Sequence, residues 1–337
     1  MVGHGVLKTL GDVCLELGFN SRLLVVTGDH TLHVAGEEAL NTLSSAGLDC
    51  DLVVIEEPDS SWLEELVKRA TQPKLSAIVG VGGGSIIDVA KLAAFKAGVD
   101  FISVPTSASH DGIASPRASV RGLGVHGSVQ AQTPSAIIAD TSVIKRAPRR
   151  LIISGCGDVV AKITAVNDWL LAHRLKGEYY GGYAASLASM SARLVMRNVK
   201  EVASLTDEGI RILLEALVSC GVAMCIAGSS RPCSGSEHQF SHALDLVASK
   251  PALHGEQCGV GTIMMAYLHG LDWRKIKATL KKLGAPVNAE ELGVTPSETI
   301  KALTIAHKIR DTYTILGETG LTEPAAHRLA KVTGVIE

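Results

Sequence analysis

A triple glycine at residues 82–84 most constrains the fold of this chain, because it separates an apolar run from a helix-like run. Residues 77–81 have the length and β-branched content of a buried parallel strand. Glycine allows positive φ and close approach of a ligand, and a helix that starts here offers unpaired N–H groups to an anion. The pattern predicts a phosphate-binding turn, with a dinucleotide as its natural ligand. The spacing is not that of the Gly-x-Gly-x-x-Gly motif. The glycines alone can therefore also indicate a tight turn between a strand and a helix that binds no ligand.

Length and charge limit the class of protein. The 337 residues exceed one typical core and fit two domains. A formal net charge of -2 gives no reason to expect nucleic acid or an anionic membrane as a partner. The apolar runs are short, and we expect none to reach the roughly 20 residues of a membrane-spanning helix. The first residues also lack the basic and apolar regions of a secretory signal.

The cysteines indicate a reducing compartment. There are seven of them, an odd number without a Cys-x-x-Cys pair, which favours free thiols in a cytoplasm. We expect each of the seven to be a small buried apolar residue.

Residues 1–147 alternate between two sequence periods and predict an α/β domain. Five short apolar runs predict parallel strands, at residues 23–26, 52–55, 77–81, 101–104 and 136–139. Helix-like stretches lie between them, at residues 31–45, 60–70 and 86–97. This order implies a Rossmann-like sheet whose ligand crevice lies beyond the carboxyl ends of the strands. Residues 117–132 predict a hairpin inserted before the last strand.

Residues 148–337 change in character, because strand patterns stop and long helical patterns follow. We therefore expect a second domain that is all helical. Polar residues within it indicate that it also binds a metal.

Four polar residues of this second domain form a candidate metal site. His238 and His242 are four residues apart and share one helix face. His254 follows a break at residues 250–251, so an adjoining helix can bring it back to that face. With Asp158, two imidazoles supply three ligands, as in a catalytic zinc site with an open position. Any one of these histidines alone would more often be a partly buried structural residue.

Together these residues resemble the metal-dependent sn-glycerol-1-phosphate dehydrogenases of the iron-containing alcohol dehydrogenase and dehydroquinate synthase-like superfamily. The resemblance covers most of the chain, and its His-Asp-Gly-x-x-Ser-Pro stretch at residues 110–116 is typical of the glycerol-1-phosphate branch. The segments that carry the resemblance are residues 82–91, 104–116, 147–151, 155–162, 234–238 and 254–257.

Differences from the other families of the superfamily show which of them this chain resembles less. Iron alcohol dehydrogenases place a histidine where this chain has Lys162, so a four-ligand iron site is not expected. Dehydroquinate synthases have Gly-Gly-Lys-Thr where this chain has residues 110–112, and a glutamate where it has Asp158. Glycerol dehydrogenases share the Asp, His, His ligand set and are the nearest alternative.

The resemblance implies a role for each matching residue. Asp158, His238 and His254 would bind zinc. Asp111, Asp158 and His242 would contact the substrate, and His242 and Asp158 would act in catalysis. NAD(H) or NADP(H) would be bound by Gly84, Ser85, Ile86, Ile87, Asp88, Thr106, Ser107, Ala108, Ser109 and Ser115. Without the family, Asp111 would be read as a solvated turn residue and Asp88 as compensation of the helix dipole.

The reaction implied is the reversible reduction of dihydroxyacetone phosphate to sn-glycerol 1-phosphate, the backbone of archaeal-type ether phospholipids. Lys162 lies one helical turn after Asp158 and is our first candidate for the substrate phosphate, ahead of Arg231. Both can equally be surface charges. A lyase of the superfamily and a non-catalytic relative are the other classes considered. We expect a small phosphorylated substrate, association of identical chains, no nucleic acid and no membrane insertion.

Overall fold

The computed structural model describes residues 1–72, 75–123 and 128–337, which form two compact units, residues 1–148 and 149–337. The strands all lie in the first unit: β1 (Val2–Gly3), β2 (Arg22–Gly28), β3 (Cys50–Ile55), β4 (Leu75–Gly82), β5 (Asp100–Pro105), β6 (Arg117–Ala118), β7 (Val129–Gln130), β8 (Ala136–Ile137) and β9 (Ala139–Asp140). The α-helices of this unit are α1 (Leu10–Glu16), α2 (Asp29–Thr31), α3 (Glu37–Ser45), α4 (Ser61–Ala70), α5 (Gly84–Ala97) and α6 (Thr141–Ile144).

Five strands form a parallel sheet in the order β3-β2-β4-β5-β8. The chain passes from β2 to one side for β3 and then to the other side for β4, so the strand order reverses between β2 and β4. In such sheets the ligand crevice lies outside the carboxyl ends of the strands at the reversal. Thr27 pairs with Val81, and Gly82 pairs with Pro105, so three strand ends meet there. The predicted α/β class is confirmed.

Side chains alternate along the central strands and pack into two cores on opposite faces of the sheet. Leu24 and Val26 pack in one core with apolar residues of α4 and α5. Leu23 and Val25 pack in the other with apolar residues of α1 and α3. Because both faces are covered by helices, the strands read as continuous apolar runs in the sequence.

Two predicted features of this unit need adjustment. The last strand is shorter than the expected 136–139, because β8 ends at Ile137 and β9 pairs with the N-terminal β1 instead. The expected hairpin at 117–132 has two antiparallel strands, β6 and β7. Residues 124–127 of that hairpin lie outside the described residues.

Residues 149–337, all of which the structure describes, form helices without a strand, as expected. Helix α7 is the longest and contacts α8, α10, α11, α12 and α13. The α-helices are α7 (Arg149–Lys176), α8 (Gly182–Arg197), α9 (Val199–Ala203), α10 (Asp207–Ala227), α11 (Ser236–Val247), α12 (His254–Leu268), α13 (Trp273–Leu283), α14 (Ala289–Leu292), α15 (Pro296–Ile305) and α16 (Glu323–Val332).

The expectation that no segment approaches the length of a membrane-spanning helix is wrong for α10. This helix has 21 residues and a mean hydropathy of 2.0 in its most apolar window. Its Ser, Cys and Gly interruptions are single residues, so they do not shorten the apolar helix. Within that window 56% of the residues are buried, and α10 packs along α8 and α7, so packing in the helical unit accounts for its apolar composition.

Candidate active site

The turn between β4 and α5 allows close approach to its backbone. A Cβ at Gly82 would lie 2.7 Å from Cβ of Ile86, so a side chain does not fit there. Gly83 is the N-cap of α5, and no side chain among the described residues caps the helix. The first N–H groups of α5 are therefore available to an anion. Ile86 and Ile87 bury their side chains in the core, so only their backbone can make the predicted cofactor contacts.

The loop after β5 packs against the start of α5. The N–H of Thr106 donates to the carbonyl of Gly82 at 2.9 Å. A Cβ on Gly84 would lie 2.0 Å from Nε2 of His110, so this ring lies directly against the glycine. The two segments therefore bring most of the predicted cofactor residues around one helix N-terminus, namely Gly84, Ser85, Ile86, Ile87, Asp88, Thr106, Ser107, Ala108 and Ser109.

Ser107 provides a test of whether this turn suits a ligand. Its Oγ is buried and has no hydrogen-bond partner among the described residues. It lies 3.7 Å from the place that a Cβ on Gly83 would occupy. A buried hydroxyl without a hydrogen-bond partner destabilises the folded protein unless a ligand or a water molecule supplies the missing hydrogen bond. The hydroxyl and the open helix N-terminus fit the phosphates of a dinucleotide.

Asp88 already has two partners within the protein. Its Oδ1 accepts from Nζ of Lys91 at 2.9 Å, and its Oδ2 accepts from the N–H of Ser119 at 2.9 Å. The buried Lys91 also donates to the carbonyl of Gly112 at 2.6 Å. This pair ties the loop to α5, a role that sequence reasoning missed. Contact between Asp88 and the cofactor stays a prediction.

Asp111 and Ser115 lie in the same loop. Asp111 is half-buried and begins the 3-10 turn Asp111–Ile113, and its carbonyl accepts from the N–H groups of Ala114 and Ser115. Asp111 is therefore part of an ordered turn rather than a fully solvated residue. Its contact with the substrate and that of Ser115 with the cofactor stay predictions.

Glycines let the helices of the second unit approach closely around the predicted metal site. A Cβ on Gly255 would lie 1.8 Å from the carbonyl oxygen of Ser154, and one on Gly157 would lie 2.1 Å from that of Gly255. On the other side of α12, a Cβ on Gly261 would lie 3.1 Å from the carbonyl oxygen of Glu237 in α11. The backbones of α7, α11 and α12 therefore touch where Asp158, His238 and His254 project.

His238 is held in one tautomer and faces Asp158. Its Nδ1 lies 2.7 Å from Oε1 of Glu237, and its Nε2 lies 3.4 Å from Oδ1 of Asp158. Glu237 is fully buried and also accepts from Gly235 N–H and from Oγ1 of Thr164. A carboxylate that accepts the Nδ1–H of a histidine leaves Nε2 as a metal ligand. Sequence reasoning missed Glu237.

His254 comes back beside α11 as expected and brings a cysteine with it. The ring of His254 lies 5.0 Å from that of His238 and 5.5 Å from that of His242, centroid to centroid. Its Nδ1 lies 3.2 Å from Oγ of Ser241. Ligand atoms of His238, His254 and Cys258 all lie within 4.8 Å of one another. Cys258 is buried, as predicted, and its thiol lies beside these two imidazoles.

The prediction that all seven cysteines are buried is wrong for two of them, since Cys50 is half-buried and Cys225 is exposed. All seven thiols are free, as expected.

His242 lies on the same face of α11 but has different partners. Its Nε2 accepts from the guanidinium of Arg310 at 3.1 Å, and its Nδ1 lies 3.4 Å from Oδ2 of Asp245. Burial lowers the pKa of His242, and Asp245 opposes that shift only in part. The ring is therefore neutral near pH 7. Arg310, which also donates to Oγ of Ser234, is a second residue that sequence reasoning missed.

The two candidate phosphate residues are not surface charges. Lys162 is fully buried, and its Nζ donates to Oδ1 of Asp158 at 2.6 Å. Arg231 is also buried, where it pairs with Glu178 and donates to the carbonyl of Tyr313. Lys162 therefore lies at the cluster of predicted metal ligands, Asp158, His238 and His254. The contacts of Arg231 instead hold the helical unit together. Arg310 is the better second cation, because it reaches His242.

The donors of this cluster suit a divalent transition metal, since carboxylate, imidazole and thiolate are ligands of zinc. Burial raises the pKa of Asp158, but Lys162 and the nearby histidines hold it well below its usual range. Burial lowers the pKa of His238, but Cys258, Asp158 and Glu237 together raise it well above its usual value. The surroundings of His238 therefore stabilise positive charge at its imidazole, which a metal dication would provide.

Replacement of Glu237 by Gln tests how His238 is held. Loss of the carboxylate charge should make Nε2 a weaker ligand, so zinc affinity should fall roughly 10- to 100-fold. Competition with a chromophoric chelator measures the affinity. Glu215→Gln is the control, because that carboxylate on α10 pairs with Arg211 instead. Unchanged affinity in Glu237→Gln, or an equal loss in both variants, would show that Glu237 does not position a ligand.

The comparisons with known proteins first define the class. A family described as iron-containing alcohol dehydrogenase matches residues 1–148. The structure is similar to glycerol dehydrogenase from Schizosaccharomyces pombe, with a TM-score of 0.82, 20% identity and coverage of 99% of this chain and 88% of that chain. It is also similar to an NAD+ complex of sulfoacetaldehyde reductase from Bifidobacterium kashiwanohense, with a TM-score of 0.74, 17% identity and coverage of 100% and 98%. The fold is that of the iron-containing alcohol dehydrogenases.

Sequence relatives define the family within that class. Glycerol-1-phosphate dehydrogenase [NAD(P)+] of Pyrococcus furiosus is 53% identical over 337 residues, which cover 100% of this chain and 97% of the relative. The enzyme of the same name from Methanosarcina acetivorans is 51% identical, with coverage of 100% and 94%. The chain belongs to the glycerol-1-phosphate dehydrogenase family.

Proposed function

We propose that this protein catalyses the reversible reduction of dihydroxyacetone phosphate to sn-glycerol 1-phosphate with NADH or NADPH. The observation that carries the proposal is the 53% sequence identity, over the full length of this chain, to the glycerol-1-phosphate dehydrogenase of Pyrococcus furiosus. The product is the glycerol phosphate backbone of archaeal-type ether phospholipids. The seven free cysteines favour a cytoplasmic location.

The first unit would bind the dinucleotide. The N–H groups at the start of α5 would hold its pyrophosphate, and the hydroxyl of Ser107 would gain a partner. Thr106, Ala108, Ser109 and Ser115 would hold the nicotinamide half, which supplies a hydride when bound. Asp111 would contact the substrate.

The second unit would bind the metal and the ketone. Asp158, His238 and His254 would hold zinc, and a bound zinc would supply a Lewis acid for the charge that develops on the carbonyl oxygen. Lys162 holds Asp158 in its charged form through their 2.6 Å ion pair. Glu237 orients His238, and Ser241 lies at the Nδ1 atom of His254.

His242 would move the proton. Burial and the neighbouring Arg310 keep its ring neutral near pH 7. Once the substrate hydroxyl takes the place of the Arg310 N–H at Nε2, this atom would accept the hydroxyl proton in the direction of oxidation and return it in the direction of reduction. Asp245, which faces Nδ1, stabilises the ring when it is charged. The pair of Asp245 and Arg310 thus holds the ring in place.

Two cations at the cluster favour a phosphorylated ketone over glycerol. Lys162 lies beside Asp158, and Arg310 lies beside His242. A phosphate oxygen within reach of either would gain a charge-assisted hydrogen bond. Glycerol dehydrogenases among the structural neighbours are only 20% and 22% identical to this chain, and that likeness concerns the fold. Zinc, Lys162 and Arg310 in these roles are parts of the proposal.

The experiment compares dihydroxyacetone phosphate with dihydroxyacetone in assays of NADH and NADPH oxidation. Dihydroxyacetone phosphate should have the higher kcat/KM by orders of magnitude, since each hydrogen bond to a charged group contributes about 1.5–3 kcal/mol. Lys162→Ala should shrink that ratio by roughly 10- to 100-fold, because only the phosphorylated ketone loses a charge partner.

The ratio is informative even if Lys162→Ala impairs the metal site, since both ketones would suffer equally. Lys308→Ala, at an exposed lysine of the same unit, is the control and should leave the ratio unchanged. If the ratio survives Lys162→Ala, the phosphate is bound elsewhere. If dihydroxyacetone is the better substrate of the unmutated protein, the glycerol dehydrogenase alternative is correct.

A further inference from the structure

Gln257 on α12 bridges two successive turns of α11. Its side chain is fully buried, and its Nε2 donates to Oδ1 of Asp245 at 2.9 Å. The same Nε2 donates to Oγ and to the carbonyl oxygen of Ser241, at 3.0 Å and 3.1 Å. Asp245 is the residue that faces Nδ1 of His242. Gln257 is therefore connected to the proposed proton-transfer histidine through a single intermediate residue.

The partners of Gln257 define the orientation of its amide group. The carboxylate of Asp245 and the backbone carbonyl of Ser241 accept hydrogen bonds and do not donate them, so the amide nitrogen has to face them. The amide oxygen Oε1 is buried and has no hydrogen-bond partner among the described residues. A buried acceptor of this kind destabilises the folded protein. The contacts of Nε2 are therefore retained although they leave Oε1 unsatisfied, as is common at functional sites.

The carboxylate of Asp245 is the group that this amide holds in place. The Asp245 side chain is 45% exposed, so without a partner it is free to turn toward solvent. With Oδ1 held by Gln257, Oδ2 stays directed at Nδ1 of His242, 3.4 Å away. An Nδ1–H that faces a carboxylate leaves Nε2 as the basic atom of the ring. Arg310 donates to that same Nε2, so both neighbours favour one tautomer of His242.

We propose that Gln257 is a positioning residue for proton transfer, because it holds Asp245 where this carboxylate orients the His242 ring. The inference rests on the role of His242 in the proposed function. In the direction of oxidation the O–H bond of the substrate breaks, its electron pair stays on oxygen, and an N–H bond forms at Nε2. In the direction of reduction the same proton returns to the substrate oxygen. Gln257 acts on this step only through Asp245.

Gln257→Met tests the proposal in the full-length protein, since methionine keeps the length of the side chain and has no amide. The rate of a single turnover of dihydroxyacetone phosphate should fall roughly tenfold, a part of the about 10²–10⁴-fold that a positioned acid or base contributes. KM, metal content and the midpoint of thermal unfolding should stay near those of the unmutated protein, because the variant also removes the unsatisfied Oε1.

Thr262→Val is the matched control for the loss of a buried polar group from α12. The Thr262 hydroxyl is also fully buried, but it donates to the carbonyl of Cys258 in its own helix. This variant should leave the single-turnover rate unchanged. An equal loss of rate in Thr262→Val and Gln257→Met would overturn the specific role of Gln257.

A double variant shows whether Gln257 acts through Asp245. Asp245→Ala should slow the single turnover at least as much as Gln257→Met, and adding Gln257→Met to Asp245→Ala should slow it no further. An unchanged rate in Gln257→Met, multiplied effects in the double variant, or loss of metal from Gln257→Met would overturn the role of Gln257 and leave the proposed function intact.

Nuclear magnetic resonance of ¹⁵N-labelled histidine gives a readout that does not depend on activity. The ring signals of His242, assigned by their loss in His242→Ala, should show the Nδ1–H tautomer, and Gln257→Met should weaken that preference. An identical tautomer in both proteins would contradict the proposal. If the unmutated protein does not reduce dihydroxyacetone phosphate, the proposed function fails, and this spectrum still decides whether Gln257 orients the ring.

Discussion

His238→Ala is expected to lose its bound metal and nearly all turnover. The variant removes a ligand and leaves the carboxylates of Glu237 and Asp158 buried without their imidazole partner. Breaking such a buried pair costs about 3–5 kcal/mol, which further weakens the site. Metal content after dialysis, measured by elemental analysis, should fall from about one equivalent to near zero.

His242→Ala is the matched control, because His242 lies on the same face of α11 but contacts Arg310 and Asp245. It should lose turnover while its metal content stays near that of the unmutated protein. Prolonged chelation of the unmutated protein should likewise abolish turnover, and zinc should restore it. If His238→Ala keeps its metal and ordinary activity, or if His242→Ala loses the metal, the ligand assignment is wrong.

Gly255→Ala is expected to force α7 and α12 apart. The new Cβ would lie 1.8 Å from the carbonyl oxygen of Ser154, a backbone atom that cannot move without the helix. Overpacking of this kind costs about 1–3 kcal/mol, and the separation moves His254 away from Asp158. The midpoint of thermal unfolding and the zinc affinity should therefore both fall.

Gly259→Ala on the same helix is a sharp control for this effect. Its Cβ would lie 3.5 Å and 3.7 Å from side-chain atoms of Leu280 and 3.6 Å from Cα of Gly157 in α7, which are all ordinary contacts. Since alanine is a better helix former than glycine by about 1 kcal/mol, this variant should be neutral or stabilised. Equal behaviour of the two variants would mean that the close crossing of α7 and α12 does not shape the site.

Regular periodicity made much of the fold predictable. The five strands and the helical second unit follow from runs of apolar residues, and the triple glycine marks the turn into α5. Helix α1 was missed because Gly11 interrupts its pattern. That glycine is required by close contact with α3, where a Cβ would lie 2.7 Å from the carbonyl oxygen of Thr42. Such a contact cannot be seen from the sequence of α1 alone.

The site was predictable only where residues follow a helical spacing or a family motif. His238 and His242 share a face by spacing, and Lys162 follows Asp158 by one turn. Glu237 is next to His238 in sequence, where helix geometry gives no reason to expect their contact. Arg310 reaches His242 from a segment 68 residues away. Cys258 follows His254 by one helical turn, and that spacing predicts that its thiol lies beside the imidazole.

The central claim is tested most directly by identifying the product made from dihydroxyacetone phosphate and reduced cofactor. We expect oxidation of NADH or NADPH with formation of sn-glycerol 1-phosphate. This product can be distinguished from the 3-phosphate because a dehydrogenase specific for the 3-phosphate does not oxidise it. Formation of the 3-phosphate, or no cofactor oxidation by metal-loaded protein, would contradict the proposed function.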